Sequence, residues 1–432
     1  MARSFDVIVV GAGPAGSIAA LKLARAGRRV CLMERGSQPG AKNMFGGLLH
    51  NTPVLNELLP DFQERAPLER HVYRKVLAFL TPDAAVSLGF DNENFDRPPC
   101  NGFTVFRPAF DRWLAEQAVA AGALLLTDCA VGDVIHEDGR VAGVTVKGRE
   151  GDLRSNIVIA ADGVLSFLAK KAGLRRDFNP ADMGVGVKLL LGLPETVINE
   201  RFHLVRDQGA DFSFVGITGG LRGGGFIYTN RETISAGLVV HLDSLRDSGK
   251  TPYDLLNDFL GHPQVARLLK GAVPLEYSAH LIPEGGIKAM PRLISDGLMV
   301  AGDAAGLCYT NGVNLEGINL AMTSGALAAE TALAALEAKD YSARSLSAYK
   351  KKLADSFVIK DMKTFRNAAG MMHLERLYRV YPRLMAGIFE KMYRVEGAPR
   401  SKLLRLARKE AMKEVGLKDL LADGFKIVRG LF

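Results

Sequence analysis

Apolar positions along this chain follow two rhythms. In the first part, strand-like runs alternate with helix spacing: Val7 to Val10 is unbroken apolar, a helix-forming stretch follows a glycine cluster, and Val30-Cys-Leu-Met33 is a second run that stops at Glu34. Residues 104–121 predict a strand end and then a helix with apolar positions at Phe110, Trp113, Leu114 and Val119. Strands over 129–135 and 141–147 flank Glu137-Asp-Gly-Arg140, a hairpin signal, and 157–163 is a buried strand ending in a polar turn. From about Gly184 to Ala289 the pattern becomes short alternating strands, such as 226–230 and 233–240, beside glycines at 219, 220 and 223–225. Residues 298–306 return to the parallel-strand style, a small-residue helix covers about 315–338, and the rest is helical. The predicted class is α/β: a Rossmann-like domain with an inserted antiparallel β domain and a helical C-terminal region. The expected division is 1–74, 103–183 and 290–342 for the first, 75–102 and 184–289 for the second, and 343–432 for the third.

The glycine cluster is Gly11-Ala-Gly13-Pro14-Ala15-Gly16, placed between a strand and a helix, with Glu34 closing the next strand. Gly11 allows a tight turn, Gly13 lets backbone approach a pyrophosphate, and Gly16 lets the helix pack closely. The helix N-terminus offers unpaired N–H groups and a positive dipole end to phosphate, and Glu34 stands where a ribose hydroxyl needs an acceptor. The context specifies a dinucleotide site. Arg35 then opens a glycine-rich segment that includes Gly46 and Gly47, suited to backbone passing close to a flat ligand.

With 432 residues, 48% of them hydrophobic, the chain can fill a sizeable core. No run of apolar residues is long enough to span a bilayer, and the N-terminus reads as a core strand rather than a leader, so the expected location is cytoplasmic. Cys31, Cys100, Cys129 and Cys308 are dispersed without a CxxC pair, which predicts buried thiols and no metal or cluster site. The net charge of +8 is uneven: residues 344–432 hold 21 Lys and Arg against 9 Asp and Glu, whereas the preceding residues hold 34 against 38. A basic tail of this kind suits an acidic protein, an anionic membrane surface or simply solvent. It carries no nucleic-acid-binding motif and few stacking aromatics, so no nucleic acid is expected.

Ala161-Asp-Gly-Val-Leu-Ser166 and Gly302-Asp-Ala-Ala-Gly306 with Asn314-Leu-Glu-Gly-Ile-Asn-Leu-Ala-Met322 join the first motif. Together they resemble the three signatures of glutathione-reductase-like flavoproteins of the hydroxybenzoate hydroxylase type. That resemblance implies FAD, with Asp303 on ribityl or ribose hydroxyls and the Asp162-Gly163 turn near the pyrophosphate. It further implies cofactor roles for Pro14, Ala15, Arg35, Gly46, Gly47, Arg107, Val131, Gly302, Gly312, Asn314 and Leu315, and no catalytic residue beyond flavin-mediated electron transfer. Asn314 is either part of a flavin-facing turn or the N-cap of the small-residue helix, or both.

Within that superfamily the chain is similar to the Fix-type electron-transfer-flavoprotein:quinone oxidoreductases. The likeness runs through Glu34-Arg-Gly, Gly40-Ala-Lys-Asn43, Ala66-Pro-Leu-Glu-Arg70, Phe110-Asp-Arg-Trp-Leu-Ala115, His262-Pro263, Pro283-Glu-Gly-Gly-Ile-Lys-Ala-Met-Pro291 and Asp355-Ser-Phe-Val-Ile-Lys-Asp361. It implies electron entry from an electron transfer flavoprotein of alpha and beta subunits, a separate small ferredoxin-like iron–sulfur subunit, exit to a membrane quinone, and peripheral residence at the inner face of the cell membrane. The aromatic residues Phe212, Phe214, Phe226 and Tyr228, with Ile217, are either a quinone entrance or plain sheet core. A geranylgeranyl-reductase-like enzyme saturating isoprenoid double bonds is the alternative activity on the same scaffold.

Overall fold

The computed structural model describes residues 4–41, 47–148, 152–397 and 401–431. Its first sheet runs Ile294–Ser295, Leu298–Val300, Asp152–Ala160, Ser4–Val10, Val30–Met33, Leu124–Leu126, with Val131–Glu137 and Arg140–Val146 joined as an antiparallel hairpin. The four central pairings are parallel, which explains the unbroken apolar runs: Ser4–Val10 and Asp152–Ala160 are covered on both faces. The hairpin turn uses Asp138 and Gly139, both at positive φ, as the Asp-Gly pair predicts.

The helix Pro14–Arg25 begins with proline, whose missing N–H costs nothing at that end, and it is buried along almost its whole length. Its tight seat depends on absent side chains. A Cβ on Gly16 would lie 1.9 Å from Gly11 O, and one on Gly325 would lie 2.0 Å from Ala15 O. Gly325 sits in the long helix Ile318–Ala338, so the small-residue composition lets that helix approach the first one at backbone distance.

The second sheet runs Val273–Pro283, Met183–Gly192, Thr233–His241, Gly223–Thr229, Gln208–Val215, Leu68–Leu80, Gly102–Val105, Gly47–His50, with Ala85–Asp91 paired to Leu68–Leu80. Two features depart from expectation. Gln208–Val215 pairs with Leu68–Leu80 in parallel, so the layer is not antiparallel throughout. Gly47–His50, the start of Leu68–Leu80 and Gly102–Val105 pair in this sheet rather than in the nucleotide half to which their sequence position assigned them. Such short strands carry no local mark of which sheet will take them; the pairing is made by residues distant in sequence. Arg70, which closes the Ala66–Arg70 stretch, has a structural part: it is buried, and its guanidinium donates to Asn230 O at 2.7 Å, Gln208 O at 2.8 Å and Asn199 Oδ1 at 2.6 Å, tying the loops of this sheet together.

The C-terminal region is helical but not one unit. Ala348–Asp355 and Phe357–Thr364 bury Tyr349, Leu353, Val358 and Met362 in the core of the first sheet, and the Tyr349 hydroxyl donates to Val300 O at 3.0 Å. The basic tail counted from residue 344 is therefore not one exposed surface: this stretch packs on the core, and helices with exposed apolar faces come further on. Among the described residues no helix is long and apolar enough to cross a membrane.

Two glycine substitutions should have opposite signs. Gly325→Ala drives a methyl group into the Ala15 carbonyl and should cost about 3 kcal/mol. Gly387→Ala, inside Tyr381–Tyr393 with open space around it, should gain about 1 kcal/mol. Urea melts of the two variants beside the parent check both.

Candidate functional site

Strand ends and helix starts of the first sheet open onto a cavity of about 1160 Å³ that continues across the second sheet to the tail helices. Gly11, Gly13, Pro14, Ala15, Glu34, Arg35, Gly47, Arg107, Val131, Asp162, Gly163, Gly302, Asp303, Gly312, Asn314 and Leu315 all line it. Gly16 does not; it is a packing glycine beneath the turn. Gly46 falls outside the described residues.

The geometry of the glycine turn suits a phosphate. A Cβ on Gly13 would meet nothing within 4 Å, and Gly13 caps the helix without a side-chain hydrogen bond, so its N–H groups open on the cavity. Gly11, at φ +102°, is held against the next strand, where a Cβ would lie 2.2 Å from Ala161 O. Glu34 is buried and braces this turn: Oε2 accepts from Ala12 N at 3.2 Å and Oε1 from Gly36 N at 2.7 Å, which leaves lone pairs on both oxygens for further donors.

On the facing side, Asp162 Oδ2 accepts from Leu168 N at 3.0 Å while Oδ1 is buried without a protein partner, and burial pushes this carboxyl up. A Cβ on the adjoining Gly163 would meet open space. Arg107 is the first residue of its helix and is gripped by Asp111 through Nε and Nη2, both at 2.9 Å, so its guanidinium is pre-oriented. Asp303 follows Gly302, whose φ of +65° is closed by Gly302 N donating to Ser324 Oγ at 2.9 Å. Burial raises the Asp303 carboxyl, opposed by the Arg107 cation.

Before the long helix, Tyr309–Thr310 and Leu315–Glu316 form a small hairpin whose turn is closed by Asn311 Oδ1 accepting from Val313 N and Asn314 N. Asn314 is thus a turn residue; the N-cap is Gly317, which has no side chain to offer. Gly317, Ile318 and Ala321 line the cavity, so the helix presents its unpaired N–H end there. Of the aromatic group, Phe214, Phe226 and Tyr228 line the cavity, whereas Phe212 and Ile217 do not.

Several cavity residues had no assigned role in the sequence. Lys188, buried in Met183–Gly192, is held well below the usual lysine range by burial and by Arg107. His280 is held down to about 4 by burial, Arg107, Arg35 and Lys188. A lone lysine within a run of buried strand residues was the available signal for the first; nothing local marked the second. Tail residues Met371, Tyr378, Ile427 and Leu431 also reach the cavity, which no periodicity could show. All four cysteines are buried and none forms a disulfide, and Cys308 is on the cavity wall.

An extended donor and acceptor set, open glycine positions and an unpartnered buried carboxylate oxygen fit an FAD-sized dinucleotide. Comparisons agree. Residues 6–175 match the FAD dependent oxidoreductase family, and residues 368–431 match the ETF-QO/FixC family C-terminal domain. The chain is 43% identical over 425 residues, 98% of each protein, to the probable electron transfer flavoprotein-quinone oxidoreductase YdiS of Escherichia coli K12. It is 42% identical over 427 residues, again 98% of each, to protein FixC of the same organism. In fold it is similar to a geranylgeranyl bacteriochlorophyll reductase-like protein of Thermoplasma acidophilum, with a TM-score of 0.69, 21% identity and coverage of 98% of this chain and 100% of that one. With its FAD-binding signatures on one cavity and this likeness along nearly its whole length, the chain belongs to the ETF-QO/FixC family of FAD-dependent oxidoreductases.

Proposed function

We propose that this protein passes electrons from an electron transfer flavoprotein, together with a small ferredoxin-like iron–sulfur subunit, to a membrane quinone. The near full-length likeness to a probable electron transfer flavoprotein-quinone oxidoreductase carries the reading, and the continuous cavity from glycine turn to tail supports it. Bound FAD exchanges electrons singly or in pairs and so joins one-electron carriers to a two-electron acceptor. The chain supplies position and electrostatics. Gly11, Gly13, Pro14 and Ala15 receive the pyrophosphate, with Asp162 and Gly163 facing them across the cavity. Glu34 and Arg35 hold the adenosine ribose. Asp303, with Gly302 and Arg107, orders the ribityl hydroxyls. Gly47, Val131, Gly312, Asn314 and Leu315 complete the wall, and the open start of Ile318–Ala338 favours negative charge on the bound group.

Access to a membrane falls to the last helices. On Leu417–Leu431 the residues Leu417, Leu421, Phe425 and Val428 recur at helix spacing and are more than half exposed, at 53%, 66%, 66% and 56%. Lys418, Lys426 and Arg429 stand among them, and Leu403–Glu414 adds exposed Leu403 and Leu404 beside Arg405, Arg408 and Lys409. An apolar stripe edged by cations suits an anionic leaflet at the inner face of the membrane, and Leu431 connects this helix to the cavity.

Gly13→Val should abolish FAD retention, because a branched side chain fills the space at the helix start; acid extraction and absorbance of the purified protein read it. Glu34→Ala should weaken FAD by about 1.5 to 3 kcal/mol, the worth of a hydrogen bond to a charged group. Titration of apoprotein with FAD measures the loss, and unchanged affinity would make Glu34 a brace of the turn only.

Paired Leu421→Asp and Phe425→Asp changes should release the protein from anionic liposomes and lower quinone reduction with FAD content intact. Charge reversal at Arg405, Arg408 and Lys409 should make liposome or partner binding weaker, while binding by the parent should fall with salt. If both sets leave liposome binding, partner co-purification and quinone reduction at parental levels, these helices are solvated faces.

A further inference from the structure

The tail end of the cavity holds two titratable groups that cofactor binding does not use. Glu284 directly follows the strand Val273–Pro283, and His241 closes Thr233–His241. Both line the cavity, and His241 Nε2 lies 3.4 Å from Glu284 Oε2. Room for the carboxylate is made by Gly184, which stands opposite His241 in register: a Cβ there would lie 2.7 Å from Glu284 Oε2. Glu284 N donates to Asp182 O at 2.8 Å, which anchors the backbone. Neither Glu284 Oε2 nor His241 Nδ1, both buried, makes a hydrogen bond.

A way out to solvent adjoins this pair. The ring of His373 lies 5.4 Å from that of His241, centroid to centroid, and His373 is exposed. Arg222 touches both His373 Nδ1 and Asp243, fixing the outer imidazole. Charged and titratable groups that act on the pair from the surrounding elements are Arg222, Asp243, His373, Tyr378 and Cys308, with Asp182 beside His373. Burial pushes the Glu284 carboxyl up to about 7 although Arg222 favours its ionised form, and burial with Arg222 and His373 holds His241 down to about 4. At neutral pH a carboxyl near its midpoint thus faces a neutral imidazole, the condition in which a general acid both holds and releases a proton readily.

We propose that Glu284 donates protons to the quinone held in this cavity and that His241 and His373 refill it from solvent. The inference rests on the quinone reading above. Conversion of quinone to quinol takes up two electrons, supplied through the flavin, and two protons. For each proton the O–H bond of Glu284 breaks and an O–H bond forms on a quinone oxygen. The carboxylate left behind takes a proton from His241 Nε2, and His241 regains one at Nδ1 by way of His373 from water. Each passage leaves His241 as its Nδ1–H tautomer, which proton exchange with water, without net uptake, returns to the Nε2–H form; after two passages every protein group is then back in its starting state.

The test compares holoprotein of the parent, Glu284→Gln and His373→Ala. Infrared titration should show a carboxyl C=O band that disappears as pH rises through about 7 in the parent and is missing in Glu284→Gln. The folded carboxyl keeps its proton above the unfolded range, so it opposes folding increasingly between 4.5 and about 7; the melting temperature of Glu284→Gln should rise relative to the parent over that interval. With an electron transfer flavoprotein as donor, the rate with a soluble quinone divided by the rate with ferricenium, which takes no proton, should fall about 100-fold in Glu284→Gln. The same ratio should fall in surface-located His373→Ala and recover with added imidazole, which keeps the test open if the buried variant folds poorly. A parental ratio in both variants, or no carboxyl titrating near neutrality, overturns the relay. A parent that reduces ferricenium but not quinone overturns the quinone reading itself, and the relay falls with it.

Discussion

Everything about the cavity depends on one contact between segments about 300 residues apart in the chain: the backbone of Ala15 pressed against Gly325, with Gly302 alongside. A Cβ on Gly325 would sit 2.0 Å from Ala15 O, and one on Gly302 would sit 2.9 Å from Ala15 Cβ. This approach lets the helix after the glycine turn and the long helix Ile318–Ala338 share one seam. As a result the Gly11–Gly16 turn, the Gly302–Asp303 turn and the open start of Ile318–Ala338 face one space. Larger residues at the seam would separate the helices and spread these groups apart.

The electrostatics of that space follow from burial more than from charge counting. Arg107 is held in place by Asp111 and lies within reach of Asp303, while Lys188 and His280 are both driven toward their neutral forms by desolvation and neighbouring cations. The excess positive charge of the chain lies elsewhere, on exposed tail helices, where it acts at long range and is screened by salt. The two populations differ in setting: the buried groups stand on the cavity wall, and the exposed ones face solvent.

The tail shows how a uniform-looking helical sequence can be divided by packing. The Asp355–Asp361 stretch alternates polar and apolar residues much as Leu403–Glu414 does, yet Val358 and Ile359 are core and Leu403 and Leu404 are exposed. Helix spacing states that a face is apolar; it does not state what covers it. The same limit applies to the short strands Gly47–His50 and Gly102–Val105, which could extend either sheet.

Local sequence was sufficient wherever chemistry depends on neighbours in the chain. The strand, glycine turn, helix and acid at 6–34 required no tertiary information, because each property, from the positive φ of Gly11 to the proline at the helix start, is fixed within a few residues. The Asp-Gly hairpin and the small-residue helix were equally readable. Groups brought together across the chain were not. Glu284 beside His241, Lys188 and His280 beside Arg107, and the tail residues at the cavity mouth meet only because sheet pairing and helix packing carry them there. Their burial, which sets their protonation, is a property of the assembled fold, since desolvation depends on every surrounding element and on no single segment.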